Sequence, residues 1–197
     1  MEAFTRLDAP ALPVIQPNCD TDQIIPARFL RKLRAEGLGK FLFHDLRFRP
    51  DGTEDPFFPL NQSPYRSARV IVAARNFGCG SSRENAVWAL GDYGFRAAIA
   101  PSFGDIFASN CLHNGILTIR LPDEVVSDAL EALVGAPGTR IAIDLEAQIV
   151  SLPTTGPRRF ETDPFVRHCL LNGVDELSYT MSHAAKIDDF ERLSLDD

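Results

Sequence analysis

Ala68-Arg69-Val70-Ile71-Val72-Ala73-Ala74-Arg75-Asn76-Phe77-Gly78-Cys79-Gly80-Ser81-Ser82-Arg83-Glu84-Asn85-Ala86-Val87-Trp88-Ala89-Leu90 is the stretch whose reading decides the fold. Residues 68–74 form an apolar run of the length expected for a buried strand. Beyond them, Val87, Leu90 and Tyr93 recur at helical spacing within residues 82–93, and Gly94 supplies a stop. At the junction, Gly78 and Gly80 permit backbone turns and close approaches that a side chain would forbid. Ser81 and Glu84 fit a Ser-x-x-Glu capping box at the first helical turn. A helix N-terminus carries unpaired N–H groups and partial positive charge. With two hydroxyls and Arg83 beside it, the junction suits a carboxylate or phosphate. A plainer reading stands next to this one: strand, loop and helix as scaffolding, with Ser81 only a cap. A phosphate P-loop is excluded, because no Gly-Lys-Ser/Thr closes the run. So is the dinucleotide fingerprint, whose third glycine is missing.

Working outward, Ala97-Ala98-Ile99-Ala100 reads as the next strand and completes a β-α-β unit with parallel strands. Ser102, with Asp105 three residues on, is expected to cap a second helix bearing Phe103, Ile106, Phe107 and Cys111 and ending at Gly115. A strand follows over Ile116 to Leu121, then a helix opened by Pro122-Asp123 with Val126, Leu130 and Leu133 inward. Residues 140–144 and 148–152 look like a hairpin. Asp163-Pro164 pairs a cap with a first-position proline, and that helix stops at Gly173. One more short helix is expected within 174–190, and the acidic tail 188–197 is expected to fray. Upstream, Leu12 to Ile15 has the character of a strand, and Asn18-Cys19-Asp20-Thr21-Asp22 that of a turn whose side chains bond their own backbone. Residues 35–67 are too rich in glycine and proline for long elements. Yet they hold Phe41, Phe43, Phe48, Phe57 and Phe58, so this loop packs on something, either its own domain or a partner chain. The pattern is that of one α/β domain with a mixed sheet over residues 1–197.

Composition narrows the functions. A net charge of −7 over 197 residues argues against nucleic acid or an anionic membrane as partner. There is no basic-then-apolar leader and no apolar run of membrane-spanning length, so a cytoplasmic location is expected. Cys19, Cys79, Cys111 and Cys169 are widely spaced without a Cys-x-x-Cys, and the four histidines lack metal-ligand spacing. No metal or iron–sulfur site is expected in this chain alone. Cys111 and Cys169 read as small buried hydrophobes; Cys19 and Cys79 adjoin the candidate site.

Asn76-Phe77-Gly78-Cys79-Gly80-Ser81-Ser82-Arg83-Glu84 resembles the signature of the aconitase-type swivel domain, and more narrowly that of 3-isopropylmalate dehydratase small subunits. Asp20-Thr21-Asp22-Gln23-Ile24-Ile25-Pro26, Ala100-Pro101-Ser102-Phe103-Gly104-Asp105-Ile106-Phe107 and Asp163-Pro164-Phe165 continue the resemblance in order, from about Asn18 to Thr180. It implies an aconitase swivel-like β/β/α three-layer domain with a mixed sheet. It also implies a hydro-lyase of leucine biosynthesis that interconverts 2- and 3-isopropylmalate. A large subunit would carry a [4Fe–4S] cluster, in a heterodimer or higher assembly. Ser81 would be the catalytic base; Ser82 and Arg83 would grip a substrate carboxylate; Gly78, Cys79 and Gly80 would supply the loop backbone. Asp20, Thr21 and Asp22 would form the facing wall, and Leu30 an apolar wall for the substrate's branched group. Relatives usually read Arg-Glu-His-Ala where this chain has Arg83-Glu84-Asn85-Ala86, which removes a titratable group beside the site. Related hydro-lyases acting on methylmalate or homoaconitate, and a non-catalytic anion-binding or scaffolding subunit, are the alternatives.

Overall fold

The chain, described for residues 1–32, 34–81 and 83–195 of a computed structural model, runs through seven strands and eight α-helices among those residues. In order they are β1 (Arg6–Val14), α1 (Thr21–Ile24), α2 (His44–Arg47), β2 (Val70–Ala73), α3 (Glu84–Tyr93), β3 (Ala97–Ala100), α4 (Asp105–His113) and β4 (Leu117–Arg120). Then come α5 (Asp123–Gly135), β5 (Arg140–Asp144), β6 (Ile149–Leu152), β7 (Gly156–Arg159), α6 (Pro164–Asn172), α7 (Glu176–Met181) and α8 (Ala184–Leu195). The seven strands make one sheet in the order β4-β3-β2-β1-β5-β6-β7. The β4 to β1 half is parallel and the β1 to β7 half antiparallel.

β1 joins the two halves by changing partners along its length. Arg6–Pro10 pairs with β5, and Ala11–Val14 pairs with β2. Proline has no N–H for a ladder and is normally confined to sheet edges. Away from the crossover each half of β1 pairs along one side only, which leaves room for Pro13; at the crossover the Pro10 carbonyl accepts from Arg69 N–H while Ala11 N–H donates to the Thr139 carbonyl. The strand is therefore longer than the Leu12 to Ile15 segment suggested by the sequence.

Side chains alternate between two cores, as strand geometry requires. Ile71, Ala73, Ala98 and Ala100 face α3, α4 and the 38–65 segment; Val70, Val72, Ala97 and Ile99 face α5 and α6. These layers make the α/β domain with a mixed sheet that the resemblance implies. Alanine is a poor strand former, yet three of the four residues of β3 are alanine. Burial on both faces overrides the local preference, since each fully buried large aliphatic around it contributes roughly 1.5–3 kcal/mol.

The 35–67 segment packs mainly on its own domain, burying Leu38, Leu42, Phe43, Leu60 and Tyr65. Arg47 and Asn61 hold it together from inside. Arg47 Nε donates to Asn61 Oδ1 at 3.1 Å, and Asn61 Nδ2 donates to the carbonyls of Arg47 and Asp55 at 2.6 and 2.9 Å. Where one short helix is expected over 174–190 there are two, α7 and α8, and α8 continues into the acidic tail as far as Leu195. β7 (Gly-Pro-Arg-Arg) gave no sequence signal, because an exposed edge strand needs no apolar alternation.

Candidate active site

Because β1, β2 and β3 run parallel, the loops after them emerge at the same edge of the sheet, the edge where open α/β sheets place their ligands. Backbone hydrogen bonds knit these loops. Asn18 N–H donates to the Arg75 carbonyl at 3.0 Å, Gly78 to Cys19 at 2.7 Å, Thr21 to Cys79 at 3.1 Å, Phe77 to Ser102 at 3.1 Å and Gly104 to Phe77 at 3.0 Å. Asn18 and Asn76 both take left-handed φ, at 58° and 63°. Their side chains bond each other, Nδ2 of Asn76 to Oδ1 of Asn18 at 2.8 Å. Asparagine tolerates this region better than most residues, and the bond locks two site loops together. The only sequence signal for this bond is the pair of asparagines itself, preceding Cys19 and Phe77.

Gly78 and Gly80 bend the loop that presents Ser81, with φ of 72° and 87°. At Gly78 a Cβ would lie 2.2 Å from Cγ of Phe107, inside the ring's own volume. Ser81 is exposed, and its hydroxyl makes no hydrogen bond to a described residue. Its carbonyl accepts from Thr21 Oγ1 at 2.8 Å, so the buried Thr21 fixes the height of the loop. Two capping expectations fail here. α3 starts at Glu84 with Arg83 in the cap position and no side-chain cap, so Ser81 lies ahead of the helix and no capping box forms. Glu84 instead accepts from Asn114 Nδ2 at 3.2 Å. Likewise α4 is preceded by Gly104 without a side-chain cap, and Ser102 Oγ instead accepts the N–H of Asn76 at 2.9 Å. At Ser102 the hydroxyl thus spans two loops rather than closing a helix end, and at Ser81 it is the Thr21 hydroxyl that does so.

Asp20 caps α1, its carboxylate accepting the Gln23 N–H at 2.8 Å. Asp22 forms an ion pair with Arg83, whose side chain is only 18% exposed against 52% for Asp22. The guanidinium is thus largely sheltered and held by a carboxylate that faces water. An incoming substrate carboxylate would meet a pre-oriented fork and would share or replace Asp22. Leu30, being aliphatic, makes no side-chain hydrogen bond to these loops. It closes a short 3-10 helix, Ala27–Phe29, and is half-buried against the first core. Ser82 lies outside the described residues.

Cys19 is buried beside Asp20 and Cys79; burial first, then those two neighbours, push its thiol up to about 12. Burial also pushes the thiols of Cys111 and Cys169 up. Such thiols resist becoming the thiolates that a cluster needs, and among the described residues no three His, Cys, Asp or Glu side chains converge on a common point.

Residues 1–124 match the family model of the aconitase C-terminal domain. With the mixed sheet and the loops gathered beyond its parallel strands, this defines the class: an aconitase-type swivel domain. The chain is 49% identical to the 3-isopropylmalate dehydratase small subunit of Paramagnetospirillum magneticum, covering 97% of this chain and 95% of that one. It is 52% identical to the small subunit from Gluconacetobacter diazotrophicus, over 97% and 92%. The crystal structure of 3-isopropylmalate dehydratase from Methanocaldococcus jannaschii is similar at a TM-score of 0.68 and 26% identity, covering 93% of this chain and 98% of that chain. The chain belongs to the family of 3-isopropylmalate dehydratase small subunits.

Proposed function

We propose that this chain is the half of a hydro-lyase that holds the substrate and moves the proton, and that it interconverts 2- and 3-isopropylmalate together with a large subunit in the cytoplasm. The observation that carries the reading is the exposed Ser81 hydroxyl, without a hydrogen-bond partner among the described residues, on a loop held by Thr21 beside the sheltered Arg83–Asp22 pair. In the dehydration direction the proton on the carbon next to a carboxylate passes to Ser81 Oγ as the hydroxyl departs from the neighbouring carbon. Rehydration with the opposite regiochemistry gives the isomer. A serine alkoxide needs strong support, which loop N–H groups, the positive end of α3 and Arg83 would give. Arg83, with Ser82, binds a carboxylate of the substrate, and Asp20, Thr21 and Asp22 form the opposite wall. A [4Fe–4S] cluster on the large subunit supplies Lewis acidity for the departing hydroxyl.

The purified chain should be inactive and free of iron, and anaerobic mixing with its large subunit should produce isopropylmalate isomerisation. Ser81→Ala should lower kcat by about 10²–10⁴-fold in the assembled enzyme. Because Ser81 is not a helix cap, its stability should change by no more than about 0.5 kcal/mol. A near-normal kcat for Ser81→Ala would remove the base from the serine, and stoichiometric iron–sulfur absorption in the isolated chain would overturn the division of labour.

A further inference from the structure

Behind α1 lies a groove of about 490 Å³ that takes no part in the chemistry above. Its rim carries three exposed apolar side chains, with Ile15 61% exposed, Leu46 42% and Phe57 81%, beside the exposed Gln16 and Gln23. None of the residues that line it is charged, on a chain in which 24% of residues are. Depletion of charge around aromatic and aliphatic anchors marks the core of a protein interface rather than ordinary surface. Phe57 is also held in place. Gln62 Nε2 donates to its carbonyl and to that of Pro56, at 3.4 and 3.2 Å, and the Asp55 carboxylate accepts its N–H at 3.0 Å. The buried Arg47–Asn61 network fixes the loop on either side. An aromatic ring presented to water by a loop braced from within is a pre-organised contact.

We infer that this groove is the docking surface for the large subunit, an inference that rests on the proposed function. The four residues of α1 divide the two regions. Thr21 and Asp22 reach the Ser81 loop, whereas Gln23 and the preceding Cys19 line the groove. Ser81 and Arg83 make half a site, and a chain that completes it must close over α1 and cover the uncharged surface directly beyond. Phe57 and Ile15 insert into the partner, and the two glutamines Gln16 and Gln23 supply polar contacts at its edge.

The test uses purified large subunit under anaerobic conditions, with affinity read by calorimetry and turnover by titrating one subunit with the other. Phe57→Asp and Ile15→Asp should bind at least about 100-fold more weakly. Turnover should return to the wild-type kcat at saturating large subunit. Both side chains are exposed, so unchanged circular dichroism and Tm are expected. Met181→Asp, at an exposed apolar position on α7, should bind normally. Binding of Phe57→Asp within threefold of wild type, an equal loss in Met181→Asp, or self-association of the isolated chain that Phe57→Asp abolishes would each overturn the inference. If the wild-type pair binds through the groove but fails to turn over isopropylmalate, the docking surface stands and the proposed reaction falls. If turnover is normal and Phe57→Asp is indistinguishable from wild type, the reverse holds.

Discussion

Cys19 sits one residue from the wall of the candidate site, and it is only 2% exposed where it lines the uncharged groove. Its backbone carbonyl holds Gly78, while its buried thiol is kept protonated by burial, Asp20 and Cys79, up to about 12. The residue therefore acts as a packed hydrophobe, and at pH 8 iodoacetamide should leave it unmodified in the folded chain and alkylate it after denaturation, as peptide mass spectrometry would record. Modification of the native protein at a rate close to that of a free thiol would contradict the burial. Leu30 is a different case. It is half-buried against the first core, and the proposed function makes it the apolar wall for the substrate's branched group. Removing methylenes from such a pocket costs roughly 10- to 200-fold in discrimination. Leu30→Ala should accordingly lower kcat/KM for 3-isopropylmalate by that order and leave a methyl-substituted malate much less affected. Equal losses on both substrates would assign Leu30 to packing alone.

Among the elements, the turn after β2 shows what glycine is for at two neighbouring positions. Gly78 has both a left-handed φ and the Phe107 ring where a Cβ would go; Gly80 has the φ, but its nearest neighbour there is Cβ of Asp20 at an ordinary 3.5 Å. Gly78→Ala should cost about 2–4 kcal/mol, from backbone strain plus overpacking. Gly80→Ala should cost about 1–2 kcal/mol from strain alone. Denaturant titration separates them, and equal losses would mean that Phe107 yields. Both glycines were legible from the sequence, as were the strand before them and the helix after. The two caps were not. Ser-x-x-Glu at Ser81 and Ser-x-x-Asp at Ser102 have the right spacing, but neighbouring loops claimed these serines first, through Thr21 on the Ser81 carbonyl and Asn76 on the Ser102 hydroxyl. Local spacing cannot register a partner 60 or 26 residues away. The pairing of Asp22 with Arg83 was hidden for the same reason: each was assigned a role toward substrate, and their contact with each other appears only once α1 and the loop meet.

At the scale of the molecule, the parallel half was readable because its β-α-β rhythm is local, while the antiparallel half was readable only as a hairpin. Its third strand, β7, is exposed and its first neighbour, β1, lies some 130 residues earlier in the chain. The division of β1 between two partners has a consequence for synthesis. As the chain leaves the ribosome, Ala11–Val14 can pair with β2 once residue 73 has emerged, but Arg6–Pro10 must wait for Arg140–Asp144. For about 70 residues of elongation, at about 5–20 residues per second, the nascent chain carries a half-finished strand with an open edge of the kind that recruits other strands. Nascent chains stalled between residues 100 and 135 should therefore be cut by protease within the first ten residues, and those stalled long enough to expose residue 144 outside the exit tunnel should be protected. Early protection would mean that something other than β5 shields that edge while the chain is being made.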